Sequence, residues 1–273
     1  MNEIIEMLSF SFMQRAFIVG IPVALCAALL GVSLVLKRYA MIGDGLSHVG
    51  FGALAIASAF NLAPLWVSVP VVVISAFFLL RLSESSKIKG DSAIAIISSS
   101  ALAIGVVVAT AGNGMNTDLS NYLFGSILAT SRGDAVMSVC LSAVVLVMFV
   151  LFYGKIFAVT FDEGFSKATG VNSGAYNMVI AFLTALTIVV GMRIMGTLLI
   201  SSLIIFPALT SMRLCKTYRG VIICSAAVSV FCFISGIVGS YFLETPTGAT
   251  IVIVNLIMFL IFTLASRVTV KTE

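Results

Sequence analysis

An aspartate and a histidine stand four residues apart in one apolar stretch of the sequence. Asp44 and His48 lie in the segment GDGLSHVG, and His48 is the only histidine in the chain. The i, i+4 spacing places both side chains on one face of a helix. Ionisable side chains are unfavourable in an apolar membrane helix unless they face a cavity or a partner, so the pair marks a candidate functional site.

A carboxylate beside an imidazole is suited to three roles. Together they are donors that zinc, manganese and iron accept. They can also relay a proton, or form a structural pair with no transport role. The residues alone leave these three interpretations open. Gly43, Gly45 and Gly50 surround the pair and permit either close helix packing or a distorted backbone that lines a cavity.

The composition of the chain indicates the class of protein in which this pair lies. The chain has 273 residues, of which 60% are hydrophobic and 10% are charged, and its mean hydropathy is +1.20. A soluble domain has about 25% charged residues. The composition therefore excludes an ordinary soluble enzyme, a disordered protein and a nucleic-acid-binding protein. It predicts an all-α polytopic membrane protein with the lipid bilayer as its surroundings.

Nine apolar runs have the length of a membrane-spanning helix, which is roughly 20 residues. The predicted helices cover 16–36, 41–60, 62–80, 92–110, 134–153, 175–193, 195–212, 219–243 and 247–266. We expect eight to nine transmembrane helices in a single domain over residues 1–273, with an interfacial helix over 1–15. Residues 111–133 are expected to form a re-entrant or surface helix.

The distribution of basic residues predicts the orientation. With the N-terminus outside, twelve Lys and Arg residues fall in cytoplasmic segments and three fall outside. Cytoplasmic loops collect basic residues, so we expect an outer N-terminus and a cytoplasmic C-terminus. Arg193 is interpreted as an interfacial arginine. Pro207 lies within an apolar run and predicts a kink with a possible role as a hinge.

Residues 154–174 form the longest predicted cytoplasmic loop and contain a short helix pattern. Thr160 and Glu163 fit a capping box, and Gly170 supplies a left-handed stop. The predicted helix over 161–170 has one apolar face, formed by Phe161, Phe165 and Ala168. Such a face can dock on a partner protein, or can lie on lipid or on its own chain.

Five segments, taken together and in order, resemble the metal-type ABC transporter permeases, a family of zinc, manganese and iron uptake systems. They are IGDGLSHVGFGALAIA (42–57), LFGSILATSRGD (123–134), FDEGFSKATGV (161–171), RIMGTLLISSLIIFPALTS (193–211) and LETPTGATIVIV (243–254). The family's second helix has the pattern Gly-Asp-x-x-Ser/Ala-His, which this chain matches at Gly43 to His48. The resemblance covers about residues 15 to 265.

The resemblance implies a membrane subunit of an importer of a divalent transition metal. One histidine and one aspartate suit either zinc or manganese, and we favour zinc, with manganese next. It implies a homodimer of permeases in the bacterial cytoplasmic membrane, two cytoplasmic ATPase subunits and an extracytoplasmic metal-binding protein. The chain has no G-x-x-x-x-G-K-[ST] loop, so ATP is expected only on the partner subunit. The chain itself is expected to be a transport subunit rather than an enzyme, with no tightly bound cofactor.

The resemblance also implies roles for particular residues. Asp44 and His48 become ligands on the metal path. Glu244 is a further candidate ligand, because the family often has Asp-x-Pro-x-Gly where this chain has Glu244, Pro246 and Gly248. The predicted contact with the ATPase consists of Phe161, Asp162, Glu163, Phe165, Ala168 and Gly170. The alternative hypothesis is a proton-coupled secondary transporter in which Asp44 and His48 relay protons.

Overall fold

The computed structural model describes residues 6–7, 9–60, 62, 64–84, 90–111, 125 and 132–270. Ten helices lie in these ranges, and no strand does. They are α1 (Ser11–Leu36), α2 (Ala40–Ala59), α3 (Pro64–Glu84), α4 (Gly90–Ala111), α5 (Arg132–Phe161), α6 (Glu163–Ala168), α7 (Ser173–Met195), α8 (Thr197–Ser211), α9 (Tyr218–Leu243) and α10 (Thr247–Val270). The predicted all-α fold is therefore confirmed.

Each of the nine predicted helices has a counterpart among the ten. Seven helices in the described part of the chain are long and apolar enough to cross a membrane. Two further apolar stretches, Trp66–Leu82 in α3 and Thr197–Ser211 in α8, are shorter. The number of spanning helices and the orientation of the termini remain predictions.

Three predicted boundaries differ from the structure. α5 continues to Phe161 instead of ending near residue 153, because the rings of its last turns pack against Tyr218 of α9. The predicted helix over 161–170 is wrong in its bounds, since α6 covers only Glu163–Ala168. α1 begins at Ser11, so the end of the predicted interfacial helix is part of α1. Most of 111–133 lies outside the described residues.

The cap of α6 explains where this short helix begins. Asp162 has an extended backbone, and its carboxylate accepts a 2.8 Å hydrogen bond from the Phe165 amide. Asp162 is thus the N-cap that the capping-box pattern assigned to Thr160. Gly170, with φ +81°, has the left-handed conformation predicted for the stop.

Three helices form the centre of the molecule. Most residues of α7 (78%), α2 (72%) and α1 (67%) are buried in their most apolar stretch, whereas α4, α5 and α10 are mainly exposed. α2 packs on α3, α4, α7 and α8, and α1 packs on α5, α7, α8 and α9. This arrangement places α2, the helix of the Asp–His pair, between four other helices.

Glycines allow two close backbone contacts around this centre. A Cβ at Gly31 would lie 2.0 Å from the carbonyl oxygen of Ile204, so the backbones of α1 and α8 lie close together. A Cβ at Gly52 would lie 2.7 Å from the carbonyl oxygen of Ala101, so the backbones of α2 and α4 also lie close together. Small residues allow such approach between helices in membranes.

Candidate metal path

Asp44 and His48 lie on one face of α2, as predicted from their spacing. The His48 Nε2 atom is 3.6 Å from the Asp44 Oδ2 atom. The side chains are 40% exposed for Asp44 and 22% exposed for His48, although α2 is otherwise mostly buried. At 1.5 Å per residue, they stand roughly 6 Å and 12 Å along the axis from Ala40, the first residue of α2. The pair therefore faces open space deep within the apolar part of the chain.

Ser201 of α8 holds the Asp44 carboxylate from the opposite side. Its hydroxyl lies 3.1 Å from Asp44 Oδ1 and also 3.0 Å from the Thr197 carbonyl oxygen. Ser47 donates to the Asp44 carbonyl oxygen at 2.7 Å. One carboxylate oxygen thus faces α8 and the other faces His48. The sequence shows Ser201 only as one of several hydroxyls in an apolar helix, and its role depends on how α8 packs on α2.

The second ring nitrogen of His48 completes the description of the pair. His48 Nδ1 is buried and has no hydrogen-bond partner among the described residues. A buried polar atom without a partner is unfavourable by about 1–3 kcal/mol. The imidazole is therefore not held in place by a hydrogen bond to neighbouring helices, as a purely structural histidine usually is.

The structure does not bring Glu244 to this pair. Glu244 is the exposed C-cap of α9, in the turn before α10, with φ +50°. Among the described residues, no group of three or more His, Cys, Asp or Glu side chains is arranged to hold a metal ion. One described chain thus offers two side-chain ligands, Asp44 and His48, at this place.

The residues predicted for hinge and packing roles surround the pair. Gly43 faces the Ile204 side chain of α8, where a Cβ would lie 3.1 Å from Cδ1. Gly45 faces α4, where a Cβ would lie 2.6 Å from Ile94 Cγ2. Pro207 is buried inside α8, and Ser211 donates to its carbonyl oxygen at 2.7 Å. The two glycines let α2 approach two helices at once, and the hinge at Pro207 stays a prediction.

The predicted ATPase contact is divided between two helices. Phe165 is exposed on α6, as are Lys167 and Ala168. Phe161 is also exposed, but it ends α5, and its ring lies 5.0 Å from that of Phe157 and 5.8 Å from that of Tyr218. Because α5 ends before α6 begins, the predicted single face of Phe161, Phe165 and Ala168 is not formed.

A polar cluster that the sequence analysis missed joins α6 to the rest of the molecule. We call Lys37, Asn177 and Glu163 the Lys37 cluster. Lys37 donates to Asn177 Oδ1, and Asn177 Nδ2 lies 3.5 Å from Glu163 Oε2. The Lys37 ammonium is also 3.9 Å from Glu163 Oε2, and both Lys37 and Asn177 are buried. Lys37 directly precedes the tight turn that starts α2.

The charge of Glu163 is stabilised by its neighbours. Lys167, one turn along α6, lies 2.8 Å from Glu163 Oε1. Its hydrogen bond, together with the nearby Lys37 charge, outweighs partial burial and lowers the pKa of Glu163 from its ordinary value of 4.5. Glu163 is therefore ionised at neutral pH, and α6 carries a fixed negative charge toward the end of α1.

Arg193 is paired in the structure rather than being a simple interfacial arginine. Its guanidinium lies 2.9 Å from Asp134 Oδ1, and the two side chains are each 28% exposed. The pair joins the end of α7 to the start of α5. The sequence places these residues 59 positions apart, so no local pattern could have shown the contact.

Comparison with known proteins identifies the family to which this sequence belongs. The sequence matches the ABC 3 transport family over residues 9–266. The chain belongs to this family. It is 30% identical to the manganese transport system membrane protein MntC of Halalkalibacterium halodurans, over 93% of this chain and 87% of that protein. It is 29% identical to the high-affinity zinc uptake system membrane protein ZnuB of Haemophilus influenzae, over 92% of this chain and 97% of that protein.

A solved structure has the same fold as this ABC 3 family chain. PsaBC from Streptococcus pneumoniae, in complex with Fab, contains a chain with a TM-score of 0.86 and 29% identity, over 96% of this chain and 94% of that chain. The predicted resemblance to metal-type ABC permeases is confirmed by these matches. So are the predictions of a transport subunit whose ATPase is a separate protein, and of a multi-pass inner-membrane location.

Proposed function

We propose that this ABC 3 family chain is a permease domain that imports a divalent transition metal, with zinc as the first candidate and manganese as the second. The observation that carries the proposal is the pair formed by Asp44 and His48, which faces open space on a buried helix. Family membership favours transport driven by ATP on a separate subunit over the proton-coupled alternative.

The geometry of the pair suits a metal ion as the transported substrate. The 3.6 Å between His48 Nε2 and Asp44 Oδ2 brings an imidazole and a carboxylate close enough to share one ion. The imidazole in this donor set supports zinc ahead of manganese.

The site is suited to passage rather than to storage. Ser201 faces one oxygen of Asp44, which leaves the other oxygen for an ion. Two protein ligands are fewer than the four of a closed zinc site. Water or a second copy of the chain is expected to supply the rest, and such a site releases its ion easily, as conduction requires. This fits two permease copies that form a path between them.

The segment over residues 161–170, which contains α6, is proposed to contact the ATPase. α6 presents Phe165 and Ala168 outward, and Asp162 and Gly170 define its ends. Phe161 is proposed to lie at the edge of this contact, since it belongs to α5. Movement of α6 is proposed to pass through the Lys37 cluster to the turn before α2, and this turn ends at Tyr39, five residues before Asp44. A separate metal-binding protein is proposed to deliver the ion from outside.

Uptake of radioactive zinc and manganese tests this proposal. Cells would carry this chain with its ATPase and binding protein, at equal membrane levels of each variant. We expect Asp44→Asn, His48→Ala and an ATPase-dead partner to abolish uptake of one metal, and a proton uncoupler to leave initial uptake intact. Normal uptake with the dead ATPase would overturn ATP-driven import. Normal uptake in the Asp44 and His48 variants would remove them from the metal path.

A matched serine pair separates the site from general packing. Ser201→Ala removes the hydroxyl that faces Asp44, whereas among the described residues the adjacent Ser202 hydroxyl bonds to the Leu199 carbonyl oxygen alone. We expect Ser201→Ala to change the KM for uptake several-fold and Ser202→Ala to leave it unchanged. Glu244→Gln is expected to reduce uptake only if this outer residue contacts the ion on entry. Equal effects of the two serine variants would contradict a specific role for Ser201.

A further inference from the structure

A cleft at the α6 end of the molecule has no part in the proposed metal path. It has a volume of about 650 Å³ and lies between the end of α5 and the start of α9. Three rings from α5 surround Tyr218 of α9: the centroids of Tyr153, Phe157 and Phe161 lie 5.6, 4.9 and 5.8 Å from that of Tyr218. The Tyr218 hydroxyl shares a 3.1 Å hydrogen bond with Ser33 of α1, which fixes the ring at the base of the cleft.

Two cations stand at the rim of this cleft. Lys216 and Arg219 line it and are exposed, and neither forms an ion pair with a described carboxylate. Asp162 and Glu163, which follow Phe161, do not line the cleft: the Asp162 carboxylate caps α6, and Glu163 pairs with Lys167. The cleft therefore combines an aromatic base with a positive rim.

The cleft continues into the apolar outer surface of the helices. On α5, Val150 and Leu151 are 69% and 71% exposed just before the cleft, and on α9 Ile223 is 69% exposed one turn after Arg219. In a membrane these side chains face hydrocarbon. A side chain at Gly154 would meet nothing within 4 Å, so a notch joins the apolar surface to the cleft. Aromatic and basic residues at such a boundary lie at the level of lipid headgroups.

We propose that this cleft binds the headgroup of an anionic phospholipid. Lys216 and Arg219 contact the phosphate and the headgroup charge, the rings of Phe157 and Tyr153 cover the glycerol region, and an acyl chain passes Gly154 to lie along α5. Charge complementarity selects an anionic headgroup over a zwitterionic one. The continuity with the exposed apolar surface favours a lipid over a soluble protein segment, which would contact the rim alone.

Lipid titration of the purified protein tests the proposal without requiring transport, so it can fail independently of the proposed function. Binding of phosphatidylglycerol and of phosphatidylcholine would be measured by native mass spectrometry. The variant is Lys216→Gln with Arg219→Gln, and the control is Lys155→Gln, an exposed cation on α5 that does not line the cleft. Gly154→Leu fills the notch and has room for its side chain.

We expect the double variant to bind phosphatidylglycerol about 30-fold more weakly, which corresponds to about 1 kcal/mol for each cation at a membrane surface. Lys155→Gln should bind like the wild type, and Gly154→Leu should weaken both lipids. Equal phosphatidylglycerol affinity in the wild type and the double variant would overturn the site. So would an equal loss in Lys155→Gln, or a double variant that keeps its lipid but no longer binds the ATPase subunit.

Discussion

The Lys37 cluster offers a direct test of how movement of α6 reaches the metal path. Glu163→Gln keeps the shape of the side chain and an oxygen that can accept from Asn177, but it removes the charge that faces Lys37. Lys37→Met removes the buried ammonium instead. Both changes break the same link between α6 and the turn before α2, and they leave Asp44 and His48 unaltered.

The energy of this link follows from its geometry. Two unit charges 3.9 Å apart attract by about 4 kcal/mol in an effective dielectric of about 20. Desolvation of the buried ammonium and the partial exposure of Glu163 offset most of this, so a net contribution of about 1 kcal/mol is expected. That amount shifts the balance between linked and unlinked arrangements about 5-fold.

The assay is metal transported per ATP hydrolysed, in proteoliposomes that contain the permease and its ATPase. We expect Glu163→Gln and Lys37→Met to lower this ratio by up to about 5-fold while ATP hydrolysis continues. Lys167→Gln is the control, because Lys167 pairs with Glu163 but is exposed and lies on the same short helix. It should keep the wild-type ratio.

Two results would refute the reasoning. If both cluster variants transport the wild-type amount of metal per ATP, α6 does not act through Lys37. If Lys167→Gln lowers the amount of metal transported per ATP as strongly as Glu163→Gln does, transport depends on the charges of α6 and not on the contact between Glu163 and Lys37. A double variant of Lys37 and Glu163 should lose less than the sum of the single variants, because they share one interaction.

Three further predictions concern stability, each measured as a shift of the melting temperature. The pKa of Glu163 is lowered in the folded protein, so its ionisation stabilises the fold above the ordinary pKa of 4.5, and this stabilisation is lost as the pH falls through the folded pKa. The difference in melting temperature between wild type and Glu163→Gln should therefore shrink from pH 7 to pH 3.5. A constant difference would contradict this. Gly31→Ala should destabilise the folded protein by about 1–3 kcal/mol, because its Cβ meets the Ile204 carbonyl oxygen. The control, Gly239→Ala, has its nearest contact at 3.7 Å and should be neutral or stabilising. Similar effects of the two variants would be inconsistent with the close contact of α1 and α8. Arg193→Met should destabilise by about 1.5 kcal/mol, and adding Asp134→Asn should cost little more; full additivity would mean that the pair contributes nothing.

Elements with strong local patterns were predictable from the sequence. The apolar runs located nine helices because each helix must bury or expose to lipid some 20 apolar residues in a row. The end of α5 was not predictable in this way. Gly154 and Lys155 look like the start of a loop, yet the helix continues to Phe161 because its last turns pack as an aromatic cluster with Tyr218.

Side-chain partners across helices were beyond the reach of the sequence. The Asp–His pair was visible because both residues lie on one helix with helical spacing. The roles of Ser201 and Lys37 were not visible, because their partners Asp44 and Asn177 lie 157 and 140 positions away. No local pattern fixes how the helices that carry these partners pack. Lys37 looked like an ordinary basic residue at a helix end, and the structure distinguishes it by the burial of its side chain against Asn177.

Ser201 and the Lys37 cluster both contact the chain near the start of α2, which bears on the proposed transport cycle. Ser201 holds the Asp44 carboxylate from α8, while Lys37 holds the turn that begins the same helix. Gly43 and Gly45 pack this part of α2 closely against α8 and α4. On the proposed path, a displacement of the turn is therefore expected to change the distance between Asp44 and Ser201. An ion held by few ligands would be released by such a change, which a closed four-ligand site would resist.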